Sequence, residues 1–240
     1  MSFTNLITEA IDSVYDDIKA NKTPTVCEMG NQRLKNNKSR SKIFNARGIH
    51  THANTTKEYF QALGFGRYLA IDVNTEKDAV AMDLNLDCKQ AYNFTEQFDL
   101  VTNNGTGEHV FNQYTVYKNM HDLTKVGGYM IHVLPFYRWV DHGFFNTQPN
   151  LYPCLSLQND YDLKGLWIGT SNCSRLEKCE PDKLRRHKGY RGDFQLDSWE
   201  RDPMVVAIMK KKNNNKFQIP QQHLYSGENI TSDEIGTKYK

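Results

Sequence analysis

The sequence predicts an α/β protein with a doubly wound, mostly parallel sheet of seven strands and helices on both faces. Short apolar runs that end at glycine or a polar residue alternate with segments of helical apolar spacing, which is the pattern of βαβ units. The 240 residues are enough for one such domain, and 38% hydrophobic with 24% charged residues is typical of a globular protein. Two apolar runs near the end of the chain, DLKGLWIG and PMVVAIMKK, complete the seven strands.

The first expected elements are a helix and a buried strand. Apolar residues recur at helical spacing between Thr4 and Ala20, so an amphipathic helix is expected there. The run TVCEMG (Thr25 to Gly30) is short, mostly apolar and closes on glycine, as expected for the first strand. The next segment, Arg33 to Arg47, has six basic residues and no acid, and it is interpreted as a solvated loop or mobile flap.

Helices and strands then alternate along the chain. Thr55 and Glu58 have the spacing of a capping box, which predicts a helix that stops at Gly64. A helical apolar stripe between Glu108 and Leu123 predicts another helix. The four runs predicted as strands in this region are RYLAIDVN (67–74), VAMDL (80–84), FDLVTN (98–103) and YMIHVLP (129–135).

One domain is expected over residues 1–212. Within it we expect an N-terminal helical segment (1–23), a basic insertion (31–55) and a substrate-side region (136–202) whose aromatic residues could line a substrate site. Residues 213–240 begin with three consecutive asparagines and are expected to form a loosely ordered tail. The start of the chain lacks the apolar core of a signal peptide and no run reaches the roughly 18 apolar residues of a membrane span, so a cytoplasmic protein without a membrane partner is expected.

Charge and cysteine content exclude several classes of protein. The 30 basic and 28 acidic residues give a net charge of +2, which is too balanced for a dedicated nucleic-acid binder. The five cysteines are scattered without a CxxC pair, so reduced thiols are expected. Cys173, Cys179 and His187 lack the spacing of zinc ligands, and no metal site is predicted. Two basic segments, Arg33 to Arg47 and Lys183 to Arg191, leave contact with an anionic partner open.

Polar residues stand at the ends of successive predicted strands. In order they are Glu28 with Gly30, Asp72, Asp83, and Asn103 with Asn104. Ligands of open parallel sheets bind outside the carboxyl ends of the strands. A carboxylate at the end of the second strand can accept hydrogen bonds from both hydroxyls of a ribose, which makes Asp72 the candidate for binding a nucleoside. Asp83 could instead cap a helix, and a buried Glu28 needs a donor or a cation as its partner.

In this order the motifs resemble those of the class I S-adenosylmethionine-dependent methyltransferases, a seven-stranded Rossmann-like family. CEMGNQ resembles the motif at the methionine end of the cofactor, YLAIDVN the ribose-binding motif and AMDLN the motif beside the adenine. FDLVTNNGTGEHV resembles the fourth motif, and LTKVGGYMIHVLP the turn and strand that follow it. The resemblance spans roughly Pro24 to Pro135 and implies S-adenosylmethionine as the cofactor. The residues that it implies for cofactor binding are Glu28, Gly30, Asn31, Asp72, Val73, Asp83, Leu84, Asn103 and Asn104.

The sequence departs from the pattern of the family at two places. Asn31 and Gln32 follow Gly30 where many members have further glycines, and Val126 stands in place of a proline. A dinucleotide pyrophosphate needs a glycine-lined backbone at a helix N-terminus, whereas a methionine tail needs only room for an ammonium and a carboxylate group. The glycine-poor loop therefore disfavours NAD more than it disfavours S-adenosylmethionine.

The resemblance implies methyl transfer by in-line displacement to a small-molecule or sugar-like acceptor. The protein would mainly position the nucleophile and exclude water, and a hydroxyl nucleophile would need a general base. His142 follows the fifth strand within the aromatic stretch and is the candidate base. His109 is interpreted as a structural residue at the start of a helix, and His132 as packed within the sheet.

Three alternative functions remain open from the sequence. A non-catalytic methyltransferase-like module would keep the acids at the strand ends without using the cofactor. A nucleic-acid-modifying methyltransferase would use the two basic segments as phosphate contacts, although the segment Asn103 to Thr106 does not resemble the Pro-Pro-aromatic loop of enzymes that methylate base amines. A nicotinamide oxidoreductase is disfavoured because no glycine fingerprint is present.

Overall fold

The computed structural model describes residues 2–35, 38–76, 79–180 and 196–222. The basic segment Lys183 to Arg191, with His187, lies outside the described residues, as does the part of the predicted tail from residue 223 onward.

Within the described residues the predicted strands and helices occur in the predicted order, with further elements between them. The strands are β1 (Ser2–Phe3), β2 (Thr25–Met29), β3 (Arg33–Leu34), β4 (Arg67–Asp72), β5 (Val80–Ala81), β6 (Phe98–Asn104), β7 (Thr124–Pro135), β8 (Tyr161–Gly169), β9 (Leu176–Lys178) and β10 (Met204–Lys211). The α-helices are α1 (Asn5–Lys19), α2 (Lys38–Ala46), α3 (Thr56–Ala62), α4 (Cys88–Tyr92), α5 (Gln113–Leu123) and α6 (Leu151–Gln158).

The central sheet has the strand order β5-β4-β2-β6-β7-β10-β8-β9, and β1 pairs with β3 in a separate two-stranded sheet. The five strands from β5 to β7 are parallel, whereas β10 runs antiparallel to both of its neighbours. The chain winds outward from β2 in one direction and from β6 in the other, so the order reverses between these two strands. The doubly wound, mostly parallel sheet is confirmed, with the seven predicted strands and a short eighth strand, β9.

Two hydrophobic clusters cover the two faces of the sheet, because successive side chains of a strand point to opposite faces. In β2, Val26 packs on the face that α1, α2 and α3 cover. Cys27 and Met29 pack on the opposite face, against apolar side chains of α4, α5 and α6. The sheet is therefore buried between two layers of helices, and the ends of its strands are the part left uncovered for a ligand site.

The predicted loop over Arg33 to Arg47 is wrong, because most of this segment forms β3 and α2. Ile43 and Phe44 are buried, and the ring of Phe44 stacks on Tyr59 of α3 with the centroids 5.6 Å apart. Arg47 is held by Asp12, at 2.6 Å, and by a second acid of α1. Two apolar side chains and an acidic partner helix thus order a segment whose composition is typical of a loop.

The fifth predicted strand begins earlier than the sequence indicates. β7 starts at Thr124, directly after α5. Phe98 and Leu100 of β6 face Thr124 and Tyr129 of β7, so the extra residues at this shift of register lie in β7 and include Gly127 and Gly128. The buried ammonium group of Lys211 donates hydrogen bonds to the carbonyl oxygens of His121 and Thr124 at 2.7 and 2.9 Å. These bonds satisfy the carbonyl groups at the end of α5, where the helix passes into the strand.

Residues 213–222, which the sequence assigns to a loosely ordered tail, pack against the domain. Phe217 is buried, and the carbonyl oxygen of Asn215 lies 2.8 Å from Nε2 of His121. The backbone N–H of Gln218 donates to Oδ1 of Asn159 at 2.7 Å. An aromatic anchor and these polar contacts order the start of the tail. Among the described residues no helix has both the length and the apolar character needed to cross a membrane.

Candidate functional site

A pocket of about 240 Å³ opens where β2, β4, β5 and β6 end. It lies at the carboxyl edge of the sheet, beside the point where the strand order reverses, as is usual for the ligand sites of open α/β sheets. Six of the nine residues predicted for cofactor binding line it, namely Gly30, Asn31, Asp72, Val73, Asp83 and Leu84. The fold thus brings together residues that are more than fifty positions apart in the sequence.

Seven further residues line the same pocket and were not predicted. They are Gln32, Met82, Asn85, Gly105, Thr106, His109 and Val110. Gly105 and Thr106 directly follow β6, so the rule that ligands bind beyond strand ends could have found them. His109, which the sequence analysis interprets as a structural residue at the start of a helix, is one of the lining residues.

Asp72 ends β4 and presents a half-buried carboxylate to the pocket. Its Oδ2 accepts a hydrogen bond from the backbone N–H of Asn31 at 2.7 Å. Its Oδ1 accepts from the backbone N–H and the side-chain amide of Asn74 at 3.2 and 2.9 Å. Because a carboxylate has about four lone-pair positions, one position on Oδ2 remains for a ligand hydroxyl. The side chain of Asn74 is exposed, and if it gave up its hydrogen bond a second lone-pair position, on Oδ1, would become free for a ligand.

Gly30 joins the loop after β2 to the loop after β6. Its φ of +91° lies in the left-handed region, and a Cβ atom there would lie 2.0 Å from Oγ1 of Thr106. The backbone N–H of Gly30 donates to the carbonyl oxygen of Ile71 at 2.7 Å. This single glycine therefore allows the close approach of the two loops, which explains why Asn31 and Gln32 can follow it.

The pocket combines apolar surface with negative charge. Val73 leaves 75% of its surface exposed, while Leu84 and Val110 are buried beside it. Asp72 and Asp83 supply two carboxylates, and among the described lining residues there is no lysine or arginine. His109 supplies an imidazole whose pKa is lowered by burial and by the charge of His142. The two carboxylates, without a lysine or arginine in the described lining, favour a ligand with positive charge over one with a pyrophosphate group.

Glu28 does not reach the pocket, in contrast to its predicted role. It shares the face of β2 with Val26, and its Oε2 accepts a hydrogen bond from the hydroxyl group of Tyr68 at 2.7 Å. Its Oε1 is buried and has no hydrogen-bond partner among the described residues. Burial raises the pKa of Glu28 to about 7, although the bond from Tyr68 acts in the opposite direction. Successive side chains of a strand point to opposite faces of the sheet, so Glu28 points to the face that α1, α2 and α3 cover.

Asn103 and Asn104 also lie outside the lining of the pocket, because both are buried at the end of β6. Oδ1 of Asn103 accepts from the backbone N–H of Gly107 at 2.9 Å, and its Nδ2 lies 3.3 Å from Nδ1 of the buried His132. The carbonyl oxygen of Asn104 accepts from Nε2 of Gln32 at 2.8 Å. These asparagines support the loops that form the pocket, while six other predicted residues line it.

A buried carboxylate lies next to the pocket with two histidines. Glu108 is 1% exposed in the short 3₁₀ turn Gly107–His109, and burial raises its pKa to about 7. Its Oε1 lies 3.7 Å from Nε2 of His109 and 3.5 Å from Nε2 of His142. Neither carboxylate oxygen has a hydrogen-bond partner among the described residues. We call Glu108, His109 and His142 the Glu-His-His cluster.

The chain after β7 folds over Glu108 and carries His142, the predicted base, into this cluster. The backbone N–H of Phe144 donates to the carbonyl oxygen of Glu108 at 2.8 Å. A Cβ atom on Gly143 would lie 2.9 Å from the same oxygen, so only glycine fits between the segments. The ring centroid of Trp139 lies 4.9 Å from that of His142. The cluster is therefore held by backbone contacts as well as by side chains.

Exposed apolar side chains surround the cluster. Phe111 and Phe144 leave 73% and 67% of their surface exposed, and their ring centroids are 6.0 Å apart. Val140 is 86% exposed in the same segment as Trp139. Part of the predicted aromatic wall thus lies at the surface, whereas Tyr152 is buried in the core.

A larger cavity of about 680 Å³ lies between α5, α6 and residues 217–222. It shares no described lining residue with the pocket at Asp72, and its described lining contains no charged side chain. Of these two cavities, only the smaller one has charged side chains in its described lining.

No protein-family model matches the chain, and none of the curated proteins matches it. Among solved structures, it is similar to 1,6-didemethyltoxoflavin-N1-methyltransferase from Burkholderia thailandensis, solved with S-adenosylhomocysteine. The TM-score is 0.47 and the identity 13%, over 85% of this chain and 79% of that chain. It is also similar to an S-adenosylmethionine-dependent methyltransferase from Archaeoglobus fulgidus, with a TM-score of 0.46 and 13% identity over 86% of this chain and 93% of that chain.

Proposed function

We propose that the chain is an S-adenosylmethionine-dependent methyltransferase whose cofactor binds in the pocket at Asp72 and Asp83. The charge of that pocket is the observation that carries the proposal. Two carboxylates line it without a lysine or arginine among the described lining residues. S-adenosylmethionine has a sulfonium and an ammonium group against one carboxylate, so it is net positive, whereas the pyrophosphate of a dinucleotide is negative. The field of the pocket favours the former.

The lining residues match the parts of this cofactor. Asp72 has an acceptor position left for a ribose hydroxyl, as its hydrogen bonds indicate. The exposed side chain of Val73 and the buried Leu84 offer apolar surface for a flat adenine ring, next to the carboxylate of Asp83. The loops at Gly30 and Thr106 leave space at the other end for the methionine tail.

The residues of the chain would act mainly by positioning the acceptor and excluding water. The cofactor, when bound, would supply an electrophilic methyl group to a lone pair of the acceptor, and the electrons of the broken bond would stay on its sulfur. His109 lines the cofactor pocket and also belongs to the Glu-His-His cluster. The nucleophile is therefore expected on the side of the pocket where His142 lies, and His142 is the proposed base for a hydroxyl nucleophile.

A small-molecule or sugar-like acceptor is the proposed substrate class. The half-buried ring of Trp139 and the exposed rings of Phe111 and Phe144 supply apolar surface next to the cluster, suited to the face of a small ring. Two of the six basic residues between Arg33 and Arg47 give no support to a nucleic-acid substrate, because Arg40 is buried and Arg47 is bound by acids of α1. The other four are exposed, so a nucleic-acid substrate stays the second candidate.

Calorimetry with S-adenosylmethionine and S-adenosylhomocysteine, with NAD as the comparison ligand, tests the cofactor. We expect saturable binding of the first two at micromolar concentrations and none of NAD. Asp72→Ala should weaken binding by about 1–3 kcal/mol, roughly 5- to 150-fold, because it removes the charged acceptor for a ribose hydroxyl. Asp162→Ala, at a carboxylate of β8 paired with Lys164, is the matched control and should bind like the wild type.

Either of two results would contradict the proposal. Absence of binding to the folded wild-type chain would favour a non-catalytic module. Equal affinity in folded Asp72→Ala would remove this residue from the cofactor site.

A further inference from the structure

The carboxylate of Glu108 lacks the partners that a buried charge requires. Both of its oxygens are buried without a hydrogen bond from a described residue, and Nε2 of His142 is likewise buried and unpaired. Removing such groups from water costs free energy unless a donor or a cation replaces the water. The unpaired atoms of Glu108 and His142 face each other across 3.5 Å, so one cation between them would satisfy both.

The two distances from the carboxylate in the Glu-His-His cluster are close to those of a small tetrahedral site. The three candidate ligand atoms lie within 4.8 Å of one another, and Oε1 of Glu108 is 3.5 and 3.7 Å from the two Nε2 atoms. A tetrahedral zinc ion with bonds of about 2.0–2.1 Å holds its ligand atoms roughly 3.3–3.4 Å apart. The two distances from the carboxylate exceed this by only a few tenths of an ångström, which small side-chain rotations would close.

We propose that Glu108, His109 and His142 bind a divalent transition-metal ion, with Zn²⁺ as the best match. Two imidazole nitrogens and one carboxylate oxygen suit zinc and its transition-metal neighbours, whereas Mg²⁺ and Ca²⁺ prefer sets made of oxygen alone. Three protein ligands leave the fourth position of a tetrahedral ion for a ligand from outside, as in catalytic zinc sites. This proposal differs from the sequence-based expectation, which includes no metal site.

Backbone and ring contacts hold the segment that carries His142 against Glu108. The backbone N–H groups of Phe144 and Phe145 both point to the carbonyl oxygen of Glu108, at 2.8 and 3.3 Å. Gly143 lies against the same carbonyl, and Trp139 contacts the ring of His142. Such support keeps the three ligands close together and lowers the cost of ordering them around an ion.

The ion would have a defined role next to the cofactor pocket. A hydroxyl group bound to a metal ion loses its proton more easily. An acceptor hydroxyl group at the open position could therefore lose its proton to solvent. A ligand imidazole cannot accept that proton at the same time, and His142 would then be a metal ligand instead of a base. This role rests on the proposed function, but binding of the ion does not.

Titration of the chelator-treated full chain with ZnCl₂ in a calorimeter, without S-adenosylmethionine, tests the site. We expect one ion per chain, with binding weakened about tenfold or more in each of Glu108→Gln, His109→Ala and His142→Ala. The double variant His50→Ala/His52→Ala is the matched control, because both histidines are exposed and lie outside the cluster. It should leave the stoichiometry and the affinity unchanged. CoCl₂ gives a second measurement, with the visible absorption of a four-coordinate ion expected in the wild type and lost in His142→Ala.

Circular dichroism of each variant separates loss of the site from loss of the fold. If Glu108→Gln does not fold, the two histidine variants decide, because both of these side chains are partly exposed. The proposal is overturned if the wild type binds no zinc, if folded cluster variants bind it as tightly as the wild type, or if binding depends on His50 and His52. Binding of zinc without binding of S-adenosylmethionine would contradict the proposed function alone.

Discussion

Glu28 places an ionisable carboxyl group in the middle of the sheet, where it is fully buried next to Tyr68. Burial raises its pKa from 4.5 to about 7, so the folded chain holds this proton more tightly than the unfolded chain does. The stabilising contribution of the protonated group is complete below pH 4.5 and is lost as the pH rises through about 7. Above that range the folded protein carries the cost of a buried charge.

Glu28→Gln should therefore gain stability relative to the wild type as the pH rises. Glutamine keeps an acceptor for the hydroxyl group of Tyr68 but cannot ionise. We expect the difference in unfolding free energy to change by up to about 3 kcal/mol between pH 5 and pH 8, as measured by urea denaturation. Glu76→Gln, at an exposed glutamate, should show no such trend. A difference for Glu28→Gln that stays constant with pH would contradict the burial of its charge.

Gly30 is the second residue at which the local geometry predicts the effect of a substitution on stability. Gly30→Ala should lower stability by about 1–3 kcal/mol through its positive φ alone, and the new methyl group must also displace the side chain of Thr106. Because Thr106 lines the pocket, we also expect weaker binding of S-adenosylmethionine. Gly48→Ala is the control, since Gly48 has a φ of +67° but no atom within 4 Å of the new Cβ. Equal effects of the two substitutions on stability and on binding would count against the contact with Thr106.

Among the elements, β10 is stabilised by packing, because it is paired on both edges and covered on both faces. Ile208 lies opposite Ile131 of β7 and is 2% exposed within the cluster that α1 covers. Ile208→Ala should lower the unfolding free energy by about 2–4 kcal/mol, as measured by chemical denaturation. Val126→Ala in β7 removes methyl groups from a side chain that is 54% exposed, and it should cost less than about 0.5 kcal/mol. A small effect of Ile208→Ala would mean that β10 is not tightly packed in the sheet.

Elements with a strong pattern were predictable from the sequence, and the errors have physical causes. Helix α3 begins where Thr55 caps it, at the predicted capping box. Helix α2 was missed because its order depends on Phe44 stacking on Tyr59 and on Arg47 reaching Asp12, contacts from distant parts of the chain. Local composition does not contain such tertiary contacts.

For the whole molecule, the position of the pocket was predictable because parallel strands end at one edge of the sheet. That rule placed Asp72 and Asp83 correctly beside each other. It failed for Glu28, although the alternation of side chains along β2 could have shown that Glu28 faces the same side as Val26. The proximity of Glu108 to His142 was not predicted, because only the fold brings His142, 34 positions later, to its carboxylate.

His109 lies between the two proposed ligand sites, since it lines the pocket at Asp72 and belongs to the Glu-His-His cluster. If one imidazole serves both, the two binding equilibria share a free energy of coupling. Linkage then requires that zinc changes the affinity for S-adenosylmethionine by the same factor by which S-adenosylmethionine changes the affinity for zinc. Calorimetric titration of each ligand with and without the other would measure both factors, and His109→Ala should bring both towards one. The concentration of either ligand would then change how much of the other ligand the chain binds.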